Sequence, residues 1–537
     1  MSLQSERALP QLADTPFLEK PPLTYWMSAE GISLFGDSPA AARAPNLLYA
    51  LVTALSIGAL ASAMDLELLT AVFAALVAAS ALLCFRVQSW LAPDACLLAG
   101  NALALLGLWR GYSAPPGRGK ALGYALMHAG AAVGFMAKSA PGWLVPGLTL
   151  LTLVLWERRL RELCRWELYA GLLLQGLIIV PWVLAVAHTT EGAAALRTLF
   201  WNNLVGRFTH VAAPAALDYT TGHKNRPGKY LIELPVYLLP WTAVGLAALA
   251  RAATQVRAAG AAATAWRFAL GASLPWLGLL CLAATARDVY AAPVLLGVAL
   301  LAALWLPLAQ GAPTRLDRWC VAATRVLVGL AACALMAALG LLAWMGLASA
   351  PACTAAALGV LLFAVPALLH SARAQRRGEL RESLLRSYAG YAAALCLSAM
   401  LVFPVIDRMQ DLRSLAHRVR ADTAQQPLAL LDPDETTIAI IDHGFTAPFA
   451  VLHGSPDRGA AVKQWFDSQG PGARILVLLP SPARGASRSA PPEGVAASLD
   501  ASGSVAASLD ASGAAAIVQR YELPQGRRYA LLGPPRS

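Results

Sequence analysis

Ionisable side chains that could bind an anionic ligand lie at the ends of apolar segments and in the polar segments beside them. The densest group is Phe17–Leu23 (FLEKPPL), where the carboxylate of Glu19 precedes the ammonium of Lys20 on a segment stiffened by two prolines. The further candidates are Asp94 in APDA, Lys138 in FMAKS, Arg207 and His223 in segment 189–228, and Arg287 with Tyr290 in RDVYAAP. Several cations beside two or three carboxylates suit a ligand that carries phosphate.

Each of these residues also has a simpler interpretation. Lys138 or Arg287 alone is accounted for as an anchor at a membrane surface, and a lone loop histidine is usually not a metal ligand. Taken together, however, ionisable groups at membrane depth are costly and indicate function. Their joint occurrence therefore favours a binding or catalytic site.

The composition indicates which elements must position these residues. Of the 537 residues, 57% are hydrophobic and only 14% are charged, whereas soluble domains are about 25% charged. Lipid must therefore be the solvent for much of the chain. The net charge of +11 then indicates basic cytoplasmic loops and not nucleic-acid binding. The eight cysteines lie in or beside apolar runs without a CxxC pair, which is typical of small hydrophobic residues.

Apolar runs long enough to cross a bilayer predict about twelve transmembrane helices. They are 46–64, 68–85, 93–109, 121–137, 141–156, 169–188, 229–251, 268–285, 289–308, 326–347, 352–370 and 388–406. Every second connecting loop is rich in arginine, which places loops 110–120, 157–168, 252–267, 309–325 and 371–387 in the cytoplasm. All the candidate residues then lie at the outer face, together with segment 1–45 and everything after residue 406.

Residues 407–537 predict a small α/β domain outside the membrane. Segment 407–426 has the pattern of an amphipathic helix, and five short runs favour strands. These runs are Leu428–Leu431, Thr437–Ile441, Arg474–Leu479, Ala515–Tyr521 and Tyr529–Leu532. A low-complexity insert, 481–513, contains VAASLDASG twice and indicates a duplication in a disordered loop. Asp442 and His443 predict a turn after a strand, with a catalytic pair as the alternative.

The order of the motifs resembles a known family. The pieces are PFLEKPPLTYW (16–26), AARAPN (41–46), APDACLL (92–98), GFMAKSAPGWLVP (134–146), NNLVGRF (202–208), HKNRPGKYLIELP (223–235) and ARDVYAAP (286–293), with PW at 181–182 and 240–241. This series is similar to the bacterial aminoarabinose lipid A transferases and their relatives, the protein O-mannosyltransferases, which are membrane glycosyltransferases of the GT-C type. PFLEKPPLTYW is the most specific piece.

The resemblance implies that a sugar moves from undecaprenyl phosphate, or another polyprenyl phosphate, to lipid A or another envelope acceptor. The reaction would take place at the periplasmic face of the inner membrane. It implies carrier-phosphate binding by Lys20 and catalytic roles for Asp94 and Glu19. Glu19 and His223 match a pair that can hold a divalent metal such as zinc. On chemical grounds, Arg207, Arg287, Tyr290 and Lys138 would complete the phosphate site.

Two alternatives stay open at this point. A lipid or solute transporter would place its polar residues near the middle of the membrane in paired halves, a pattern that this sequence lacks. A catalytically inactive relative is the second alternative, because relatives carry a further first helix and an aspartate-bearing loop upstream of the motif corresponding to PFLEKPPLTYW. We expect that a late start of the given sequence accounts for this difference, since an additional helix would also carry segment 1–45 across the membrane.

Overall fold

The computed structural model describes residues 8–13, 15–189, 192–202, 226–258, 260–283, 287–424, 426–445, 448–452, 458–479, 509, 514–523 and 526–535. These residues form two compact units. The larger unit runs over Phe17–Ser398, the smaller one over Ala399–Ser537, and parts of segment 1–16 belong to each.

The larger unit is helical. Its helices are α1 (Leu23–Phe35), α2 (Pro39–Arg43), α3 (Pro45–Ala63), α4 (Leu68–Ser80), α5 (Leu82–Ser89), α6 (Asp94–Ser113), α7 (Arg118–Lys138), α8 (Pro141–Trp156), α9 (Trp166–Ala170), α10 (Leu172–Ala187), α11 (Gly192–Leu196), α12 (Lys229–Tyr237), α13 (Thr242–Gln255), α14 (Ala261–Gly271), α15 (Leu274–Leu282), α16 (Ala292–Gly311), α17 (Arg315–Trp344), α18 (Ala350–Arg376) and α19 (Leu380–Met409). Three further turns are the 3₁₀ helices Leu160–Cys164 and Asp288–Ala291 and the π-helix Arg197–Asn202. Helix α16 is the most enclosed of the long apolar helices, and its buried side chains form the centre of the unit.

All twelve predicted spans are helical, but the number of crossings is confirmed only in part. Within the described residues, seven helices are long and apolar enough to cross a bilayer, or nine if two bent pairs each count as one span. The bent pairs are α4 with α5, at 63°, and α12 with α13, at 118°. The three predicted spans outside this count are α6, α7 and α8. Helices α6 and α7 carry Asp94 and Lys138, and α8 has only 16 residues.

The five predicted cytoplasmic loops are shorter than expected, because helices extend into them. Helix α17 begins at Arg315, inside predicted loop 309–325. Helices α18 and α19 leave only three residues of predicted loop 371–387 between Arg376 and Leu380. Charged residues at helix ends can stay in the interface while the backbone remains helical. Segment 1–45, predicted as a loop, likewise contains α1 and α2.

Helices α6 and α7 form an unusually close antiparallel pair. A Cβ atom added to Gly100 would lie 2.6 Å from the backbone nitrogen of Gly134, and one added to Gly107 would lie 2.2 Å from that of Met127. Near the other end, a Cβ on Gly123 would lie 2.3 Å from the backbone nitrogen of Gly111. Small residues are what allow membrane helices to approach so closely. These contacts fix the register of the two helices, and so decide which residues meet at their ends.

The smaller unit contains a five-stranded sheet of order β4-β3-β5-β7-β6. Its elements are β1 (Gln11–Leu12), β2 (Thr15–Pro16), α20 (Arg413–Thr423), β3 (Leu428–Leu431), α21 (Glu435–Gly444), β4 (Ala450–Leu452), α22 (Arg458–Gln469), β5 (Arg474–Leu479), β6 (Ala516–Glu522) and β7 (Arg528–Gly533). Strand β3 pairs in parallel with β4 and β5, whereas β7 is antiparallel to both β5 and β6. Buried apolar side chains line both faces of the sheet.

Two predictions for this unit are wrong. Segment Thr437–Ile441 is not a strand but part of helix α21, whose first turn is capped by the Asp434 carboxylate accepting a hydrogen bond from the Thr437 amide at 2.9 Å. A β-branched run is ambiguous by pattern, and the cap favours the helix. Asp442 and His443 consequently lie in the last turn of a helix and not in a turn after a strand. The insert 481–513 lies outside the described residues except for Leu509.

Candidate functional site

The most enclosed charged pair among the predicted site residues joins the ends of α6 and α7. Asp94 is the first residue of α6 and Lys138 is the last residue of α7, and the Lys138 ammonium donates a hydrogen bond to the Asp94 carboxylate. Each side chain is only 5% exposed. An acid at a helix N-terminus and a base at a C-terminus both interact favourably with the helix dipoles. The glycine contacts described above bring these two ends together.

A second ion pair lies in the segment that precedes α1. The Lys20 ammonium lies 2.8 Å from a carboxylate oxygen of Glu19 and 3.1 Å from its backbone carbonyl. Lys20 is buried, with 7% of its surface exposed. Burial alone raises the pKa of Glu19, but Lys20, Arg287 and Lys138 together hold this pKa below the ordinary value of a glutamate. Glu19 therefore stays ionised, and it is close enough to three cations to be influenced by each.

Tyr290 brings a third segment to the same place. It lies in the 3₁₀ turn Asp288–Ala291, and the Lys138 nitrogen is 3.9 Å from the centre of its ring. This is a cation–π contact, which is typically worth about 0.5–2 kcal/mol depending on how far the cation is desolvated. Arg287 immediately precedes the turn, and its side chain is exposed. One lysine thus contacts both a carboxylate and an aromatic ring.

The structure gathers six of the eight predicted site residues from four separate segments. They are Glu19, Lys20, Asp94, Lys138, Arg287 and Tyr290. Arg207 and His223 lie outside the described residues. The predicted metal pair is therefore represented only by Glu19. In the described part of the chain, no three His, Cys, Asp or Glu side chains come together as metal ligands.

The charges of this cluster suit an anion. The three cations Lys20, Lys138 and Arg287 face the two carboxylates Glu19 and Asp94, which leaves one positive charge among these five groups. Both lysines are held by a carboxylate, so their ammonium groups are oriented before any ligand arrives. Oriented cations in a site shielded from water stabilise negative charge more strongly than mobile ones at a surface.

Sequence reasoning missed three residues that contact the turn carrying Tyr290 or its preceding residue, together with Asp288 within the turn. Arg86 forms an ion pair with Asp288, Tyr230 donates to the Arg287 carbonyl, and Trp276 donates to the Tyr290 carbonyl. Asp288 directly follows Arg287 in the sequence. No local pattern, however, indicates that Asp288 pairs with Arg86, which lies 202 positions earlier.

A buried ion cluster at the opposite end of α6 and α7 was also missed. Lys120 and Glu162 form an ion pair with side chains 2% and 3% exposed, and the Tyr124 hydroxyl donates to the same carboxylate at 2.6 Å. Both charged residues had been assigned to cytoplasmic loops. The Lys120 ammonium also donates to the Gly111 carbonyl at 2.8 Å, at the C-terminal end of α6. The glycine-rich helix pair is therefore joined by the Lys138–Asp94 ion pair at one end and by the hydrogen bond from Lys120 to Gly111 at the other.

Comparisons with known proteins agree with the motif series. Residues 19–184 match the family of dolichyl-phosphate-mannose-protein mannosyltransferases. The undecaprenyl phosphate-alpha-4-amino-4-deoxy-L-arabinose arabinosyl transferase of Pseudomonas aeruginosa strain LESB58 is 30% identical over 252 residues, which is 47% of this chain and 44% of that protein. The corresponding transferase of Edwardsiella ictaluri is 31% identical over 234 residues, or 43% of this chain and 40% of that protein. The matches thus span less than half the length of these curated relatives.

Solved structures extend the likeness over nearly the whole chain. The crystal structure of ArnT from Cupriavidus metallidurans bound to undecaprenyl phosphate superimposes with a TM-score of 0.67 at 16% identity, covering 98% of this chain and 90% of that one. The apo structure gives 0.66 at 17% identity, with 99% and 90% covered. At these identities the likeness establishes the fold. The resemblance predicted from the motifs is confirmed, and the chain is a multi-pass membrane protein with this fold.

Proposed function

We propose that this chain is an inner-membrane glycosyltransferase that moves a sugar from undecaprenyl phosphate, or another polyprenyl phosphate, to lipid A or another envelope acceptor. The reaction would take place at the periplasmic face, on which the basic loops of the sequence predict the Asp94 end of α6 and the Lys138 end of α7. The observation that carries the proposal is the cluster of Lys20, Lys138, Arg287 and Tyr290 around the carboxylates of Glu19 and Asp94, in a fold shared with a protein crystallised with undecaprenyl phosphate.

The proposed reaction breaks the bond between the sugar's anomeric carbon and the carrier phosphate oxygen. The electron pair of that bond goes to the phosphate, which leaves with additional negative charge. Lys20, Lys138 and Arg287 supply the charge that stabilises it. The acceptor oxygen forms the new bond to the anomeric carbon.

Asp94 has two roles in this proposal. Its contact with Lys138 orients the ammonium towards the site, next to the Tyr290 ring. If the acceptor is a hydroxyl group, the hydroxyl must lose a proton as the new bond forms, and Asp94 is the carboxylate proposed to take it. If the acceptor is a lipid A phosphate, it is already an anion and needs no base.

A divalent metal at Glu19 and His223 is a further part of the proposal. Metal ligands must be deprotonated, and the low pKa of Glu19 meets that requirement. A bound metal would add positive charge beside the carrier phosphate. Elemental analysis of the purified protein and of a Glu19→Gln variant tests this part separately from sugar transfer.

The experiment that tests the proposal is sugar transfer by the purified chain in lipid nanodiscs. The donor is undecaprenyl phosphate carrying aminoarabinose or a hexose, the acceptor is lipid A, and mass spectrometry detects the product. We expect Lys20→Ala and Lys138→Ala to lose most of the activity. A matched control is Arg381→Ala, which removes a 2.9 Å surface ion pair with Glu67. Full activity of a Lys20→Ala, Asp94→Ala double variant would show that the site is assigned wrongly.

A further inference from the structure

The turn that carries Tyr290 consists of the four residues Asp288–Ala291 and runs directly into α16. Arg287, which precedes the turn, has an extended backbone, so α16 supports the turn from its C-terminal side only. Groups at the start of a helix have no partner within the helix and depend on contacts from outside it. The Tyr290 ring lies 3.9 Å from the Lys138 nitrogen, so contacts that fix the start of the turn also bear on this pair.

One restraint acts at the start of the turn. The Asp288 carboxylate accepts a hydrogen bond from the neighbouring Val289 amide at 2.9 Å, and its other oxygen contacts the guanidinium of Arg86 on α5. The Arg86 guanidinium also lies 5.3 Å from the centre of the Trp90 ring. Asp288 thus ties the turn to the segment that leads into α6, where Asp94 is located.

Two further restraints act on the backbone on either side of Asp288. The Tyr230 hydroxyl on α12 donates to the Arg287 carbonyl at 2.9 Å, and Tyr230 is 1% exposed. The indole nitrogen of Trp276 on α15 donates to the Tyr290 carbonyl at 3.0 Å, and Trp276 is 5% exposed. Both donors are buried aromatic side chains, so they are themselves fixed by packing.

We infer that Arg86, Asp288, Tyr230 and Trp276 form a brace, a set of positioning residues that holds Arg287 and Tyr290 in the geometry that binds the carrier phosphate. The brace draws on three elements, α5, α12 and α15, which are far apart in sequence. A ligand group that is fixed before binding avoids the cost of ordering it on binding. The inference rests on the proposed function, since it names the phosphate of the donor as the ligand of this turn.

The test measures the dissociation constant for undecaprenyl phosphate and the steady-state constants for transfer, with full-length protein in nanodiscs. The variants are Tyr230→Phe, Trp276→Phe and Arg86→Ala. Losing one buried hydrogen bond should raise the dissociation constant about two- to tenfold, and losing the exposed ion pair about two- to fivefold. Because the brace acts on donor binding, we expect the donor KM to rise with the dissociation constant while kcat changes less than twofold.

Two controls separate positioning from general stability. Arg86→Lys keeps the positive charge near Asp288 and should restore most of the affinity that Arg86→Ala loses. Arg381→Ala removes another ion pair between segments distant in sequence, 36% exposed at the arginine, and should leave both constants unchanged. Hydrogen exchange should become faster at the Val289 and Tyr290 amides in the brace variants, with the melting temperature nearly unchanged.

The outcomes are distinguishable. If the wild-type protein does not bind undecaprenyl phosphate, the proposed function is overturned and this inference falls with it. If the wild-type protein binds and the Tyr230→Phe, Trp276→Phe double variant binds equally well, only the brace is overturned. A fall in kcat at unchanged affinity would likewise contradict it. Should the double variant fail to fold, the two single variants decide in the same way.

Discussion

Replacing Lys138 with methionine should leave the Asp94 carboxylate buried and unpaired between α6 and α7. Both side chains are 5% exposed, so neither charge can be rehydrated without opening the helix pair. Removing one partner of a buried ion pair costs about 3–5 kcal/mol, because the remaining charge keeps its desolvation penalty. The lost cation–π contact with Tyr290 adds about 0.5–2 kcal/mol. We therefore expect Lys138→Met to lower the free energy of unfolding by several kcal/mol.

The double variant Lys138→Met, Asp94→Leu should behave differently. It replaces the pair with apolar groups of similar volume, and such replacements are often neutral or stabilising. We expect its free energy of unfolding to return to within about 2 kcal/mol of the wild-type value. A double-mutant cycle would then give a large, favourable interaction energy between Lys138 and Asp94. Donor binding should not return, because the ammonium proposed to bind phosphate is still absent.

The assay is denaturant titration in mixed micelles, followed by tryptophan fluorescence, with undecaprenyl phosphate binding measured in parallel. The matched control is the surface pair Arg386 and Glu382, 49% and 44% exposed, whose removal should cost less than about 1 kcal/mol. The reasoning is refuted if Lys138→Met is no more destabilising than Arg386→Met, or if the double variant is as unstable as the worse single variant. Recovery of donor binding in the double variant would refute only the proposed role of Lys138 in binding phosphate.

Three further predictions concern packing, pH and orientation. Gly100→Ala should cost about 1–3 kcal/mol and weaken donor binding, because its Cβ would lie 2.6 Å from the Gly134 nitrogen, whereas Gly147→Ala meets nothing within 4 Å and should be neutral or slightly stabilising in thermal unfolding. The pKa of Glu19 is lowered, so its stabilising contact with Lys20 is fully present above the ordinary glutamate pKa and is lost only as pH falls through the lowered value. The loss of donor affinity in Glu19→Gln should accordingly be the same at pH 5 and pH 8, and a loss that disappears at pH 5 would contradict this. Cys164 is exposed in the arginine-rich loop, and as the single cysteine of an otherwise cysteine-free variant it should react with an impermeant maleimide from the cytoplasmic side only.

The helices of the larger unit follow from the sequence because their signal is local. A run of apolar residues long enough to cross a bilayer must satisfy its backbone internally, and a helix is the structure that does so. All twelve predicted spans are accordingly helical. What the runs do not show is where a helix breaks. The run 229–251 reads as one apolar segment, whereas the structure has two helices, α12 and α13, which meet at a bend of 118°.

The strand prediction for Thr437–Ile441 failed for a related reason. β-Branched residues favour strands only where a neighbouring strand or sheet packs against them. Here Asp434 caps a helix, and Arg527, from a distant part of the chain, lies 2.8 Å from the same carboxylate. The choice between strand and helix was therefore made partly by a contact that no local pattern contains.

Residue type and position in the sequence alone identified Asp94 and Lys138 as site candidates, since charged groups at the ends of apolar runs are costly there. The FLEKPPL motif, with its adjacent charges and two prolines, identified Glu19 and Lys20. The tertiary structure decided which of them pair. Lys138 meets Asp94 because glycine contacts set the register of α6 against α7, and it meets Tyr290 because Arg86, Tyr230 and Trp276 hold a short turn in place. Charge and hydropathy belong to single residues and are visible in sequence, whereas register and bracing depend on contacts between segments that only the folded chain brings together.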